Sequence, residues 1–534
     1  MDLTKRQVFC LSLLLCIVLA LNILSSLGKS LTYDEPNHHR YGLQILNLNS
    51  DRFDDSKMPV SALNALPYWI GQKLPAGGLK TLLLKVKVGR IFTMLFSVLL
   101  GFYVFKWSRE LYGITAAFFS LTLYAFSPNI LAHSRLITTD LFAAFGLTLS
   151  CYYFYRFLKD PNWKTGFWAA SVLGFSQLLK YSNVFLYPLL LAVTVTFYGD
   201  RILKAVQSGN KAQPAVYLKA FARYVLVFLV AGVLIVNAGF LFNKTFTPLK
   251  DYSFQSRMFL ALQRIPGIRD LPVPVPYPYL DGLDQIRYRE RTGYGYGNIY
   301  LFGKLRAGEG FPDYYVAASL LKVPLATLLL FVLAIARFVL RYREYDFRRK
   351  ESILFFPIAF FAVYLSLFFR AQMGIRFFII VFPLVFIFCG SLFREWGKSS
   401  YKIKTGALAL MCWLIVSVLS YFPHYLSYFN ELVPDRKMAY RYLADSNLDW
   451  GQNRDALKRY LKKHPEVIWS PDEIVAGRIM VDPNYLVGVG SPEKYRWLRE
   501  NFKPVGHLLY TYLIFDVPES AVDSLKTKYR KSSN

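Results

Sequence analysis

GITAAFFSLTLYAFSPNILAHSRLITTDLFAAFGLTLSCYYFYRFLK, residues 113–159, holds two apolar blocks, near 113–132 and 138–158, joined by a short polar turn. Each block is long enough, at about 1.5 Å of helix rise per residue, to cross a hydrocarbon layer roughly 30 Å thick. The pair therefore reads as two membrane helices and a tight loop. Lys106 and Arg109 precede the first block, and Arg156, Lys159 and Lys164 follow the second. Because Lys and Arg collect in cytoplasmic loops, these ends are cytoplasmic and the turn His133-Ser-Arg-Leu-Ile-Thr-Thr-Asp140 lies on the opposite face.

The same pattern extends in both directions. Further blocks run near 8–27, 89–107, 166–180, 183–199, 224–242, 314–340, 353–369, 375–393 and 405–422, which makes about eleven transmembrane helices. The first follows Lys5 and Arg6, is long for a signal peptide and lacks a small-x-small cleavage site, so it reads as a retained anchor. Alternate loops carry the remaining basic clusters: Arg201, Lys204, Lys211, Lys219 and Arg223; Arg341, Arg343, Arg348, Arg349 and Lys350; Arg394, Lys398, Lys402 and Lys404. These place the N-terminus inside the cell. The outer side then receives short turns near 133–139, 180–183 and 370–376, long loops near 28–88 and 243–313, and everything from about 423 onward. The first long loop is itself basic, but long loops obey the charge rule poorly. The expected division is a transmembrane catalytic module over 1–422 and a small, mixed extracytoplasmic region over 423–534.

Composition agrees. A hydrophobic content of 54% gathered in spanning blocks excludes a soluble protein. The net charge of +28 lies mainly between those blocks, where it meets lipid headgroups, so nucleic acid is not the expected partner. The five cysteines, Cys10, Cys16, Cys151, Cys389 and Cys412, sit inside apolar blocks without metal spacing and read as small core residues.

Charged residues at a membrane boundary are costly, and a set of them on one face suggests a site. The three outer turns supply Arg135 and Asp140, then Lys180 in Lys180-Tyr-Ser-Asn183, then Arg370 and Arg376. Single members would serve equally as snorkelling anchors. The first long loop opens Leu31-Thr-Tyr-Asp-Glu-Pro-Asn-His-His-Arg40. Thr32, Glu35 and Pro36 fit a capping box at the start of a helix, which leaves Asp34 without a structural role. His38, His39 and His133 match no metal-ligand spacing, so surface histidines are expected and no metal is assigned, a divalent ion being the less favoured alternative.

In this order along the chain, the motifs resemble those of the GT-C glycosyltransferases, specifically the protein O-mannosyltransferase and aminoarabinose transferase family (glycosyltransferase family 39). Thr32-Tyr-Asp-Glu35 resembles the acidic motif of that family's first outer loop. His133-Ser-Arg135 with Thr139-Asp140 resembles its second-loop Arg and Asp, and Lys180-Tyr-Ser-Asn183 its Lys-Tyr turn. Gly374-Ile-Arg376-Phe-Phe before Pro383 resembles its Gly-x-Arg-Tyr segment, and Tyr300-Leu-Phe-Gly303 through Leu321-Lys-Val-Pro324 the end of its central loop. The family's Lys-Pro-Pro is replaced by Lys57-Met-Pro59, separated from Pro67-Tyr68-Trp69. The segments His424–Glu431 and Asp445–Gln452 resemble bacterial members.

The resemblance implies an all-α, GT-C-like transmembrane bundle. Amphipathic helices would lie on its outer surface, one starting at Pro36 and one around Asp251 to Gln263, where Phe254, Met258, Phe259 and Leu262 would share an apolar face. It implies an inverting glycosyltransferase of a bacterial inner membrane, active on the outer side, where nucleotide sugars are absent. The donor is then a sugar on a polyprenyl phosphate in the lipid bilayer, and the acceptor a hydroxyl of a protein, lipid or glycan. Such chemistry needs a carboxylate base and cations for the leaving phosphate, and no cofactor. Asp34 is expected as base, with Glu35 and Asp140 as the other catalytic acids, and Arg135, Lys180, Arg376 and Lys57 at the phosphate. A secondary transporter, or a glycan ligase or polymerase using the same carrier, is the alternative; a transporter would show internal repeats and midplane sites.

Overall fold

The computed structural model describes residues 3–208 and 212–530, so Lys211 and the tail from 531 lie outside the described residues. Among those described, eight helices are long and apolar enough to cross a membrane: Lys5–Ser26, Val86–Tyr112, Asp140–Lys159, Tyr181–Ala205, Pro214–Gly239, Phe347–Leu367, Ile375–Phe393 and Tyr401–Leu419. Tyr314–Lys322 and Leu325–Leu340 make a ninth if counted together, though they meet at 117°. The bend falls at Val323-Pro324, where proline has no N–H to continue the helical ladder. The protein is therefore a multi-pass integral membrane protein.

The remaining two of the eleven expected blocks are helical but shorter. Trp163–Ser176 has 14 residues and Ile114–Ala125 has 12. The expected span at 113–132 is in fact two helices, because Ser127-Pro128 starts a new one, Pro128–His133, with the Ser127 hydroxyl accepting from the Ile130 amide.

Asp140–Lys159 is almost wholly buried and forms the axis of the bundle. Peripheral helices such as Lys5–Ser26 turn Phe9, Leu13 and Leu24 outward, as a lipid-facing surface requires. The same outward faces carry Cys10, Cys16 and Cys412, so only Cys151 and Cys389 are core residues. An outer face in lipid is as apolar as the core, which is why composition alone assigned all five inward.

The first long loop folds into Glu35–Leu46, Ser61–Lys73 and Gly78–Leu83. The second contains Arg257–Gln263, Tyr277–Thr292 and a hairpin, β1 Asn298–Leu301 with β2 Lys304–Ala307. The expected helix from Asp251 starts only at Arg257: Phe254 precedes it and packs on Phe259 with the rings 4.9 Å apart, while Met258 and Leu262 stay exposed. Beyond Leu419 the chain returns across the face of the bundle that carries the two long loops. Gln452 and Trp450 carbonyls accept from the Ser30 and Tyr33 amides at 2.9 and 3.0 Å. The end of the chain forms a small sheet of β3 Ile468–Trp469, β4 Gly477–Val481, β5 Gly506–Leu508 and β6 Tyr512–Val517, in the order β3-β4-β6-β5.

Candidate active site

Where the short turns near 133–139, 180–183 and 370–376, the first loop and Tyr277–Thr292 converge, they enclose a cavity of about 410 Å³. Of the residues expected at a site, Asp34, Lys57, Asp140, Lys180 and Arg376 line it. The helix Glu35–Leu46 places Asp34: the residue is its N-cap, yet the carboxylate makes no capping bond and turns into the cavity. There it accepts from Arg376 Nη1 at 2.9 Å, and the same nitrogen stands 3.9 Å from Asp140 Oδ2. Asp140, first residue of the axial helix, also receives Lys180 Nζ at 2.5 Å. A chain of alternating charge, Asp34–Arg376–Asp140–Lys180, thus crosses the cavity wall.

Arg376 is fixed from several sides. Its guanidinium lies 4.2 Å over the Trp450 ring and 4.8 Å over Phe377, and Nε donates to the Met373 carbonyl at 3.3 Å. The turn before it depends on Gly374, at φ 85°, where a Cβ would collide with Ser446. Tyr314 Oη accepts from the Gly374 amide at 2.8 Å, and Asn447 Oδ1 from the Ile375 amide at 3.1 Å. The segment after the last membrane helix therefore completes the site, through Ser446, Asn447 and Trp450.

Burial alone would raise the Asp34 carboxyl, but the charge of Arg376, with His38, the Arg376 hydrogen bond and Lys57, holds it below its ordinary value of 3.8. Asp34 is an anion at neutral pH. The neighbouring His38 is buried, and that burial, with Lys57, drives its imidazole down to about 3, so it is neutral.

Two expected site residues do not reach the cavity lining. Glu35 is fully buried: Arg90 Nε and Nη2 donate to its two oxygens at 2.8 and 2.7 Å, and the Thr32 and Ile137 amides add bonds at 2.7 and 3.0 Å. The reach back to Thr32 is the expected half of a capping box. The cap itself is Asp34, and the Thr32 hydroxyl donates to Glu35. Glu35 is a structural knot linking the first loop to the helix at Arg90 and the turn at Ile137. Arg135 points the other way, donating to the Ser25 and Pro423 carbonyls and tying the end of the first helix to the returning chain.

Sequence reading passed over two charged lining residues and set a third, His38, on the surface. Arg289 and Glu290 sit on the polar helix Tyr277–Thr292, inside a loop that hydropathy treats as a connection. Glu290 accepts from Tyr364 Oη at 2.6 Å, and burial raises its carboxyl. His38, expected on the surface, is a cavity residue with Nδ1 3.2 Å from Ser61 Oγ. Arg289 makes one long contact, 3.4 Å to Ser56 Oγ, and Lys57 stands 3.5 Å from Asp54. An apolar recess of about 160 Å³ adjoins the cavity through Tyr181, Phe185 and Ile286 and continues to Met258 and Leu283. Among the described residues no three His, Cys, Asp or Glu side chains are grouped to hold a metal ion.

Comparisons with known proteins bear on the fold. Residues 85–229 match the family of dolichyl-phosphate-mannose-protein mannosyltransferases. The chain also resembles the oligosaccharyltransferase AglB of the archaeon Archaeoglobus fulgidus, in its complex with an inhibitory peptide and a dolichol-phosphate. There the TM-score is 0.50 at 15% identity, over 86% of this chain and 59% of AglB. At that identity the likeness is one of fold, and it bears out the expected GT-C architecture. An apo form of the archaeal enzyme gives a TM-score of 0.48 at 15% identity, over 82% of this chain and 58% of that one. The chain thus spans under two thirds of the archaeal enzyme's length. ArnT from Cupriavidus metallidurans bound to undecaprenyl phosphate gives 0.44 at 11% identity, over 94% of this chain and 97% of ArnT. No curated protein matches the chain in sequence.

Proposed function

We propose that the protein is an inverting glycosyltransferase that moves a hexose or pentose from a polyprenyl phosphate to an acceptor hydroxyl. It acts on the outer face of a bacterial inner membrane. The observation that carries this reading is an ionised carboxylate, Asp34, released from capping and facing a cavity that also holds Lys57, Lys180 and Arg289. The family match over residues 85–229 and the fold shared with AglB support it.

In the reaction Asp34 takes the proton of the acceptor hydroxyl while the oxygen attacks the anomeric carbon from the face opposite the phosphate. The bond from that carbon to the phosphate oxygen breaks, the electron pair leaves with the phosphate, and the anomeric centre inverts. The leaving phosphate carries its charge without protonation, so one base suffices and the two-carboxylate arrangement of glycosidases is not required. Lys57, Lys180 and Arg289 balance the developing charge. Arg376 donates to Asp34 Oδ2, which leaves Oδ1 for the acceptor and holds the base in place. The apolar recess toward Met258 suits the first isoprene units of the donor. The acceptor is a protein, lipid or glycan, and the reaction requires no cofactor.

The test is to supply purified protein with a panel of polyprenyl-phosphate sugars and hydroxyl acceptors. Sugar transfer with inverted configuration is expected. Movement of the substrate across vesicles without transfer would instead make the protein a carrier.

A further inference from the structure

At the other end of the axial helix lies a second cleft, of about 750 Å³. Asp140–Lys159 has 20 residues, so the cleft at its C-terminal end is roughly 30 Å from the catalytic cavity and belongs to the opposite leaflet. Lys106, Arg109, Arg156 and Lys159 line it, against two acids, Glu110 and Asp160.

Both acids are engaged by neutral donors: Glu110 accepts from Tyr152 Oη at 2.7 Å, and Asp160 from Asn162 Nδ2 at 2.8 Å. The lysines rest on aromatic faces. Lys106 Nζ is 5.4 and 5.2 Å from the Tyr103 and Tyr152 ring centres, and Lys159 Nζ is 5.4 Å from that of Tyr155. A ring attracts the ammonium from one side and uses none of its N–H donors in a conventional hydrogen bond. The cleft thus presents a net positive charge, with the ammonium donors of Lys106 and Lys159 open, at headgroup depth and within the 300–1,000 Å³ range usual for ligand sites.

The geometry points to this cleft as a binding site for the phosphate of an anionic glycerophospholipid. Phosphatidylglycerol, with one negative charge and no amine, fits the excess of cations; phosphatidylethanolamine brings an ammonium into the same cluster. The site is independent of the catalytic cavity and of the reaction assigned there.

Native mass spectrometry of the full chain, purified in detergent with equal phosphatidylglycerol and phosphatidylethanolamine, tests it. Wild type should retain phosphatidylglycerol preferentially. The K106Q/R156Q/K159Q variant should lose that preference by roughly threefold or more, while R343Q/R349Q/K350Q, which removes as much charge elsewhere, keeps it. R156Q alone, the milder change should the triple variant misfold, should lose part of it. Equal retention in wild type and both cleft variants would overturn the proposal. So would an equal loss in the control triple variant, which would mark a diffuse basic surface, or displacement of the lipid by millimolar inorganic phosphate, which would mark a soluble-anion site.

Discussion

Arg376 bonds Asp34 at 2.9 Å and stands 3.9 Å from Asp140, so one guanidinium serves two carboxylates that lie 106 residues apart in the chain. Both approaches come from Nη1, while Nε donates to the Met373 carbonyl at 3.3 Å, and a single ammonium does not keep all of these. Arg376→Lys should therefore lower turnover by roughly tenfold or more, the worth of about one charge-assisted hydrogen bond, with the donor KM little changed. A raised donor KM with normal turnover would make Arg376 a phosphate ligand instead.

In the proposed reaction Lys57 and Arg289 meet the phosphate alongside Lys180, and their present partners are distant or weak. Lys57→Gln and Arg289→Gln should each raise the donor KM roughly tenfold or more, since a hydrogen bond to a charged group contributes about 1.5–3 kcal/mol. Steady-state kinetics with varied donor checks this. Unchanged KM in both variants would move the phosphate elsewhere in the cavity.

Glu35 carries a stability prediction. Breaking a buried ion pair by altering one partner costs about 3–5 kcal/mol because the other charge stays buried. Glu35→Gln leaves Arg90 in that position, and its melting temperature should fall sharply while the protein that survives still binds donor normally. A variant with wild-type stability and no transfer would return Glu35 to the chemistry.

Asp34 also sets the expected pH dependence. Its folded carboxyl is held below the ordinary 3.8, chiefly because Arg376 outweighs burial. A depressed carboxylate contributes stability that is fully present above its unfolded pKa and is lost as pH falls through the folded value. The same window governs its basicity. The kcat/KM profile should stay flat from neutral pH down to an acid limb below about 4, the ordinary carboxylate range. A limb near 6.5 would mean that a histidine is the base.

Much of this was legible in the chain before folding. The apolar blocks lie on helices because spanning a membrane leaves the backbone few alternatives, and the alternation of basic loops put all seven expected site residues on one face, where five of them line the cavity. Glu35 and Arg135 lie off the cavity lining because a charge at a membrane boundary can turn inward as readily as toward a cavity. For Glu35 the deciding partner, Arg90, is 55 residues away. Arg289 was invisible, and His38 was placed on the surface, for a related reason: they lie on polar helices whose inward face is chosen by tertiary packing. Trp450 lies in the Asp445–Gln452 segment that the sequence singled out, but nothing local tells that it reaches Arg376 from beyond the last membrane helix.

The most direct test compares Asp34→Asn with Asp140→Asn in single-turnover transfer from prebound donor lipid. Asparagine keeps the size and some hydrogen bonding but removes the basicity. The account predicts that Asp34→Asn inserts normally, binds donor and loses about a hundredfold or more in rate, the scale of general-base catalysis. Asp140→Asn, which disturbs Lys180 and the orientation of Arg376, should lose less. Near-normal chemistry in Asp34→Asn together with none in Asp140→Asn would contradict the account and make Asp140 the base.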